Sequence, residues 1–561
     1  MASGTQSIAL SSFCVQAKQI GRQLKWRHYI AGLWVLGLLF GLYANSLLAV
    51  FTFGDENAHR HLWQGLWQAL AQNSYVRQVI FFSFWQAGLS ALLSVLLGWL
   101  FARAFFYQSF WGKTWLLRIF SLTFVLPSLV AVFGILGVYG ASGWVAQFCA
   151  RFGIAWRPDI YGLTGILIAH LFFNIPLATR MFLQAYQSIP VQQHQLSAQL
   201  GIRRWQFIRW IELPYLREQI LPIFVLIFML CFTSFAIVLV LGGGPKFTTL
   251  EVAIYQAIVF DFDLAKSAQF ALLQFICFFA LFALSSLFSR STETQLTQTV
   301  WWFAKQSSGV KMWQIFCLIL LSAFLLLPLL NTLLSAVFSS AIFTAWRQSA
   351  LWQAMVYSFT IAPLSALLAL LLAFGLLLAS RRLHWLGLRR LSNSLINITM
   401  VILAVPMLML ATGLFLWLKD WQFSTAQLFL LIILCNAMAA LPFVIRILAV
   451  PMQNNLTYYE RLCQSLGITG WQRFKRIEWQ ALRQPVKYAF ALASCLSLGD
   501  FTAIALFGNQ DFSSLPYLLY QQLGSYRGEE GAVTALVLLV SCFGVFSVVE
   551  KIKREENTFA Y

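Results

Sequence analysis

Long apolar runs, each about the length of a bilayer crossing, recur from end to end of the chain, separated by short polar stretches. A helix crossing the hydrocarbon core takes about 20 mostly apolar residues. Twelve such runs can be counted: roughly 29–51, 79–102, 117–140, 161–185, 219–241 and 268–289 in the first half, and 313–337, 354–379, 396–418, 424–447, 487–508 and 531–549 in the second. The pattern predicts an all-α polytopic membrane protein. Met1 to His28 is polar and basic, and the first apolar run is long enough to span, so no cleavable leader is expected and the N-terminus stays inside.

Composition agrees. The chain is 60% hydrophobic and 10% charged over 561 residues, with a mean hydropathy of +0.74, far from a soluble domain. The net charge of +19 raises the question of a nucleic-acid partner. With the charges laid on twelve spans, the side holding both termini carries 29 Lys and Arg against 8 acids, the other 9 against 10, and Asp500 falls within a span. The excess is one-sided, with Arg381, Arg382, Arg389 and Arg390 forming a dense inner cluster. It reports orientation, with both termini cytoplasmic, and does not indicate a nucleic-acid partner. Six of the nine cysteines lie in spans and only Cys149 falls in an expected external segment, so no external disulfide is expected. No Cys/His spacing suggests a metal, and no convergent His, Asp or Cys constellation suggests catalysis.

A repeat at an offset of 266 residues runs without gaps from Pro176–Arg217 onto Pro442–Arg483, with 13 of 42 positions identical. Random matching gives about three, so the two segments share an origin. The pairs include Pro176/Pro442, Arg180/Arg446, Gly201/Gly467, Trp205/Trp471, Ile211/Ile477, Glu212/Glu478 and Arg217/Arg483. Pro127 beside Pro406, and Tyr255-Gln256 beside Tyr520-Gln521, extend the duplication to the whole fold. Each half has an even number of spans, so the halves run parallel about a pseudo-two-fold axis along the membrane normal. The expected organisation is a first six-helix half over 1–289, a cytoplasmic linker over 290–311, and a second half over 312–561.

The first copy reads Gln195-Leu196-Ser197-Ala198-Gln199-Leu200-Gly201, and nine residues later Ile211-Glu212-Leu213-Pro214. This resembles the EAA loop of bacterial ABC importer permeases: Glu-Ala-Ala, three residues, Gly, nine residues, Ile-x-Leu-Pro. The loops then span about 186–217 and 452–483. Gln195 stands where the family has Glu; in the second copy Arg461 takes that place and Trp479-Gln480 replaces Leu-Pro. A short helix broken at Gly and re-entering the membrane near Pro makes a rigid cytoplasmic knob. The resemblance implies that Gln195, Ala198, Gly201, Trp205, Pro214, Arg461, Gly467, Trp471 and Glu478 couple the chain to an ATPase. This chain has no phosphate loop of its own: Gly112-Lys113-Thr114 is preceded at the required glycine position by Tyr107.

Inside the spans few groups ionise, and a mid-membrane carboxylate costs at least about 2.5 kcal/mol. Asp500 follows Gly499, and its repeat counterpart is Ser234. The pair lines a translocation path, or Asp500 caps or pairs near its helix end. His170 and Asn436 are also counterparts, with pathway contact or interhelical hydrogen bonding as alternatives.

Phe82-Ser83-Phe84-Trp85-Gln86-Ala87, the run from Leu126-Pro127 to Val138-Tyr139-Gly140, Cys463 to Ile468, and Tyr520 to Arg527 resemble the fused permeases of thiamine and thiamine pyrophosphate importers of Gram-negative bacteria. The resemblance implies an inner-membrane complex with a cytoplasmic ABC ATPase dimer, which binds ATP and Mg, and a periplasmic thiamine-binding protein. This chain itself would bind no cofactor and perform no covalent chemistry. A fused ferric-iron permease is the alternative within the class; an ion-coupled secondary transporter is the alternative outside it.

Overall fold

The computed structural model describes residues 30–52, 71–288 and 307–558, apart from 124, 157, 203, 386–387, 403–404, 419–420, 422–423, 469 and 509–511. The first 29 residues and most of the expected linker thus lie outside the described residues. In the first half the principal helices are α1 (Ile30–Thr52), α2 (Ser74–Tyr107), α3 (Lys113–Thr123), α4 (Ser128–Tyr139), α5 (Leu163–Gln187), α6 (Val191–Gln199), α7 (Leu213–Phe232), α8 (Ala236–Leu241), α9 (Leu250–Val259) and α10 (Leu264–Phe288). The second half repeats them as α11 (Ser308–Val337), α12 (Ser349–Trp385), α13 (Arg389–Ile402), α14 (Met407–Leu418), α15 (Thr425–Ser465), α16 (Trp479–Gly499), α17 (Thr502–Phe507), α18 (Leu515–Gly524) and α19 (Gly528–Thr558).

Among the described residues, eleven helices or broken helices are long and apolar enough to cross a membrane. The expected ninth span is split instead, into polar-faced α13 and the 12-residue apolar α14. The third is split in the same way, into α3 and α4. In both the break sits at the repeat-related prolines Pro127 and Pro406, which lack the N–H that would continue the ladder. The fifth and eleventh spans also break, between Phe232 and Ala236 and between Gly499 and Thr502. Four interrupted helices therefore occupy equivalent places in the two halves.

Each half is built around a packed trio: α2 with α5 and α7, and α12 with α15 and α16. The first helix of each half leaves its own trio. Helix α1 packs on α12 and α14 of the second half, and α11 packs on α4 and α2 of the first. Close approach is permitted by glycine at matching positions. A Cβ on Gly413 would strike Ser46, and one on Gly134 would strike the Pro328 carbonyl. Ser46 Oγ donates to the Leu410 carbonyl at 3.0 Å. The halves are interlocked, so the boundary at 290–311 separates two sequence repeats but not two packing units. On the outer surface Trp34, Phe40, Phe81, Trp313 and Ile319 are exposed, as a lipid-facing belt requires.

Candidate functional site

The two loops share one construction. In the first, α6 is capped at Leu200, Gly201 adopts φ +69°, and its N–H reaches the Ala198 carbonyl at 3.2 Å while the Ile202 N–H reaches the Ser197 carbonyl at 2.9 Å. In the second, Gly467 has φ +65° and the Ile468 N–H reaches the Cys463 carbonyl at 2.9 Å. Both are left-handed helix caps that satisfy the last carbonyls, a conformation favouring glycine. Each is followed by a short α-turn and a π-helical turn, Ile208–Glu212 and Phe474–Glu478, before the next span begins.

The copies differ upstream. Helix α5 stops at Gln187 and α6 starts after Pro190, whereas α15 runs unbroken from Thr425 to Ser465. Leu456 stands where the first copy has Pro190, so nothing removes the backbone donor and the helix continues.

Gln195 and Trp205 are exposed, Ala198 and Pro214 are half-buried, and Leu196 and Leu200 project from the first knob. Their repeat counterparts Leu462 and Leu466 are exposed in the second. The side chains of Arg461 and Trp471 lie outside the described residues. Glu478 faces inward instead of toward solvent, as does its counterpart Glu212. Glu212, fully buried, accepts from Arg103 Nε at 3.0 and 3.2 Å, from Tyr107 Oη at 2.8 Å and from Tyr186 Oη at 3.2 Å. Glu478 accepts from Arg381 at 2.6 Å and pairs with Arg473 at 2.7 Å. Arg103 and Arg381 lie near the ends of α2 and α12. Each loop is thus ionically tied at its π-turn to the central helix of its half. Beside the first tie, His194 packs between Phe106 and Phe207; burial lowers its pKa, and the Glu212 charge opposes that shift.

Nothing local in the sequence marks Arg103 or Arg381 as a partner of Glu212 or Glu478, because each lies on a different span; Arg381 stands out only as a member of the inner basic cluster. The signal available was the identity of Glu212 and Glu478 in a segment otherwise rich in bases.

At the pseudo-axis, Phe235 and Phe501, which differ by the repeat offset of 266, stack on one another with ring centroids 5.7 Å apart and planes 15° apart. Tyr255 packs on Phe235 at 5.2 Å and Tyr520 on Phe501 at 5.0 Å. This quartet joins the halves through side chains at the broken fifth and eleventh spans.

Next to it lies a cavity of ≈ 280 Å³ between the Pro127 break of the first half and the Gly499 break of the second, lined by residues including Ser128, Asn436, Phe443, Ser497 and Asp500. A Cβ on Gly499 would sit 3.2 Å from Pro127, so the two breaks approach closely. Asn436 Nδ2 donates to Ser497 Oγ at 2.9 Å, and Asp500 Oδ1 accepts from the Thr502 N–H at 3.1 Å. Two of the four pathway candidates therefore meet here. His170 is held elsewhere, its Nδ1 3.0 Å from Ser90 Oγ. Ser234 lies in the break after α7, just before Phe235, with its N–H on the Cys231 carbonyl at 3.4 Å.

A bundle of parallel, interlocked halves, with broken helices at its axis and two tethered knobs on one side, defines a membrane permease. The chain matches the model of the binding-protein-dependent transport system inner membrane component over residues 94–294 and 371–550, and it belongs to that family. It is 55% identical to the thiamine transport system permease protein of Haemophilus influenzae over 94% of this chain and 96% of that protein. The corresponding protein of Escherichia coli K12 is 45% identical over 90% and 94%, and that of Brucella abortus 36% over 85% and 88%. The crossing helix α1 and nearly all that precedes the middle of α12 in the second half fall outside the family match.

Proposed function

We propose that this chain is the membrane subunit of an ATP-driven importer that moves thiamine and its phosphate esters from periplasm to cytoplasm by alternating access. The duplicated knob carries the reading: a left-handed glycine cap, a π-turn and a buried glutamate tied to a central helix, present once in each half. A knob that exposes two leucines just before its glycine cap suits a groove on a partner, and two knobs suit a dimeric partner. A cytoplasmic ABC ATPase dimer supplies the hydrolysis; a periplasmic thiamine-binding protein delivers the substrate. The inner-membrane orientation, with termini and knobs cytoplasmic, rests on the one-sided basic excess. Closure of the ATPases draws the knobs together, the Glu212 and Glu478 ties pass that movement to α2 and α12, and the aromatic quartet parts. The substrate reading is supported by the thiamine transport permeases to which the chain is similar across nearly its full length.

The test is uptake of labelled thiamine by cells that cannot make thiamine, with and without this gene, and with an ATPase partner unable to hydrolyse ATP. Uptake should require both subunits. Uptake that persists with the inactive ATPase and collapses with the ion gradient would establish a secondary transporter. Unchanged thiamine uptake with reduced ferric-iron uptake would establish the iron importer.

A further inference from the structure

The Gly112-Lys113-Thr114 stretch, which is no phosphate loop, has a defined place in the fold. Helix α2 ends at Tyr107, Gly112 turns the chain with φ +102°, and α3 starts at Lys113. The turn folds Lys113 back toward the end of α2, where its Nζ donates to the Gln108 carbonyl at 3.0 Å. Among the described residues no carboxylate pairs with Lys113, and burial lowers its pKa. A half-buried ammonium without a counter-ion has lost hydration with no opposite charge to offset the loss.

Lys113 lines a cavity of ≈ 320 Å³ between the end of α2, the start of α3 and the end of α5. Phe106, Leu117 and Leu183 give it apolar walls, and exposed Ser109 and Gln187 put its mouth at the surface. It lies on the knob side, since Tyr107, another of its residues, donates to Glu212 and α5 leads through Gln187 into the first knob. On either side of Lys113 in the chain, Trp111 and Trp115 are exposed, and the Arg118 guanidinium lies 5.2 Å from the Trp115 ring centroid. Exposed tryptophans beside basic residues at the end of a span mark the headgroup layer of a bilayer.

We propose that this cavity holds the phosphate of an anionic phospholipid from the knob-side leaflet, with Lys113 as its counter-ion and the apolar walls taking the glycerol and upper acyl chain. Basic pockets between membrane helices at this depth suit such headgroups. Two cavity residues connect the lipid to moving parts. Tyr107 donates to the buried Glu212 of the first tether, and the Gln108 amide donates to Gln314 of α11, the helix that crosses from the second half. An occupied cavity braces both links, so anionic lipid strengthens the coupling of the first knob to its half. That regulatory step rests on the import function proposed above; the binding of lipid does not.

Native mass spectrometry of the permease–ATPase complex in detergent, titrated with phosphatidylglycerol or phosphatidylcholine, tests the site. The wild type should bind phosphatidylglycerol more tightly. Lys113→Gln keeps a donor for the Gln108 carbonyl but removes the charge, and should weaken phosphatidylglycerol about fivefold, the worth of one basic residue near an anionic surface; Lys113→Arg should restore it. Leu183→Trp keeps the charge, fills the cavity and should weaken the lipid as well. In nanodiscs, a rising phosphatidylglycerol fraction should stimulate hydrolysis driven by loaded binding protein in the wild type and Lys113→Arg, and less in Lys113→Gln, with basal hydrolysis equal in all three. Equal binding of the two lipids, or phosphatidylglycerol binding unchanged in Lys113→Gln, would overturn the site. Displacement of the lipid by millimolar inorganic phosphate would make it a site for a free anion instead. Selective binding with no effect of lipid on stimulated hydrolysis would overturn the regulatory role. Selective binding by a complex that imports nothing would leave the site standing and remove the import function.

Discussion

Replacing Glu212 with Ala tests whether the knob is mechanically tied to its half. The carboxylate is fully buried and gathers the Arg103 guanidinium and the hydroxyls of Tyr107 and Tyr186. Breaking a buried ion pair by deleting one partner costs about 3–5 kcal/mol, because the other charge is left uncompensated. Arg103 keeps 20% of its side chain exposed, so water recovers part of that loss and the low end, about 3 kcal/mol, applies. The stranded phenols do not add their full cost, since Tyr186 retains the Trp99 indole N–H at 3.0 Å and neighbouring losses are not additive. A local opening made easier by about 3 kcal/mol speeds amide exchange roughly 100-fold. Hydrogen exchange of peptides covering 204–220 should show that acceleration, with the second loop unaffected. Replacing the pair together, Arg103→Met with Glu212→Leu, should restore most of the protection, since apolar substitutes of similar volume carry no stranded charge. Exchange in Glu212→Ala that matches the wild type, or a double variant no better than the single, would refute the tether.

At Gly201 and Gly467 a Cβ meets nothing within 4 Å, so the penalty of substitution lies in backbone handedness and not in side-chain bulk. Alanine at either should cost about 1–2 kcal/mol and asparagine less; transport coupled to hydrolysis should fall in that order, and equal activity of the three would remove the cap from the mechanism. Replacing Phe235 and Phe501 together with Ala should open the axis and raise thiamine leak through proteoliposomes in the absence of ATP; a tight double variant would show that the quartet is not a barrier. Cysteines placed near Arg204 and Gly470 should resist an impermeant thiol reagent added outside spheroplasts, and labelling there would reverse the orientation.

The sequence by itself determined the class of fold. Twelve apolar runs, a one-sided basic excess and a gapless repeat impose a parallel, two-halved helical bundle, because lipid tolerates no unpaired backbone and so makes length and hydropathy decisive. The glycines of the two loops were equally legible, since a left-handed cap after an exposed helix is a local matter, and Gly201 and Gly467 recur in phase. Pro127 and Pro406 were visible as repeat counterparts, but the apolar runs 117–140 and 396–418 pass through them, and only the structure shows the breaks.

What the tertiary structure decided is how distant segments meet. Nothing in the run of α1 or α11 says that each packs on the opposite half, because helix association in lipid depends on shape at the contact, here Gly134 and Gly413, and not on hydropathy. Arg103 and Arg381, which hold Glu212 and Glu478, belong to other spans, 109 and 97 residues away, beyond any local pattern; Arg473 alone is a close neighbour in sequence. Phe235 and Phe501 kept the repeat offset, yet only their stacking reveals that the axis passes between them. Asp500 and Asn436 stood out as buried polar residues, but their shared cavity exists only because the broken helices of the two halves come face to face, and such pairings are set by packing across the whole bundle.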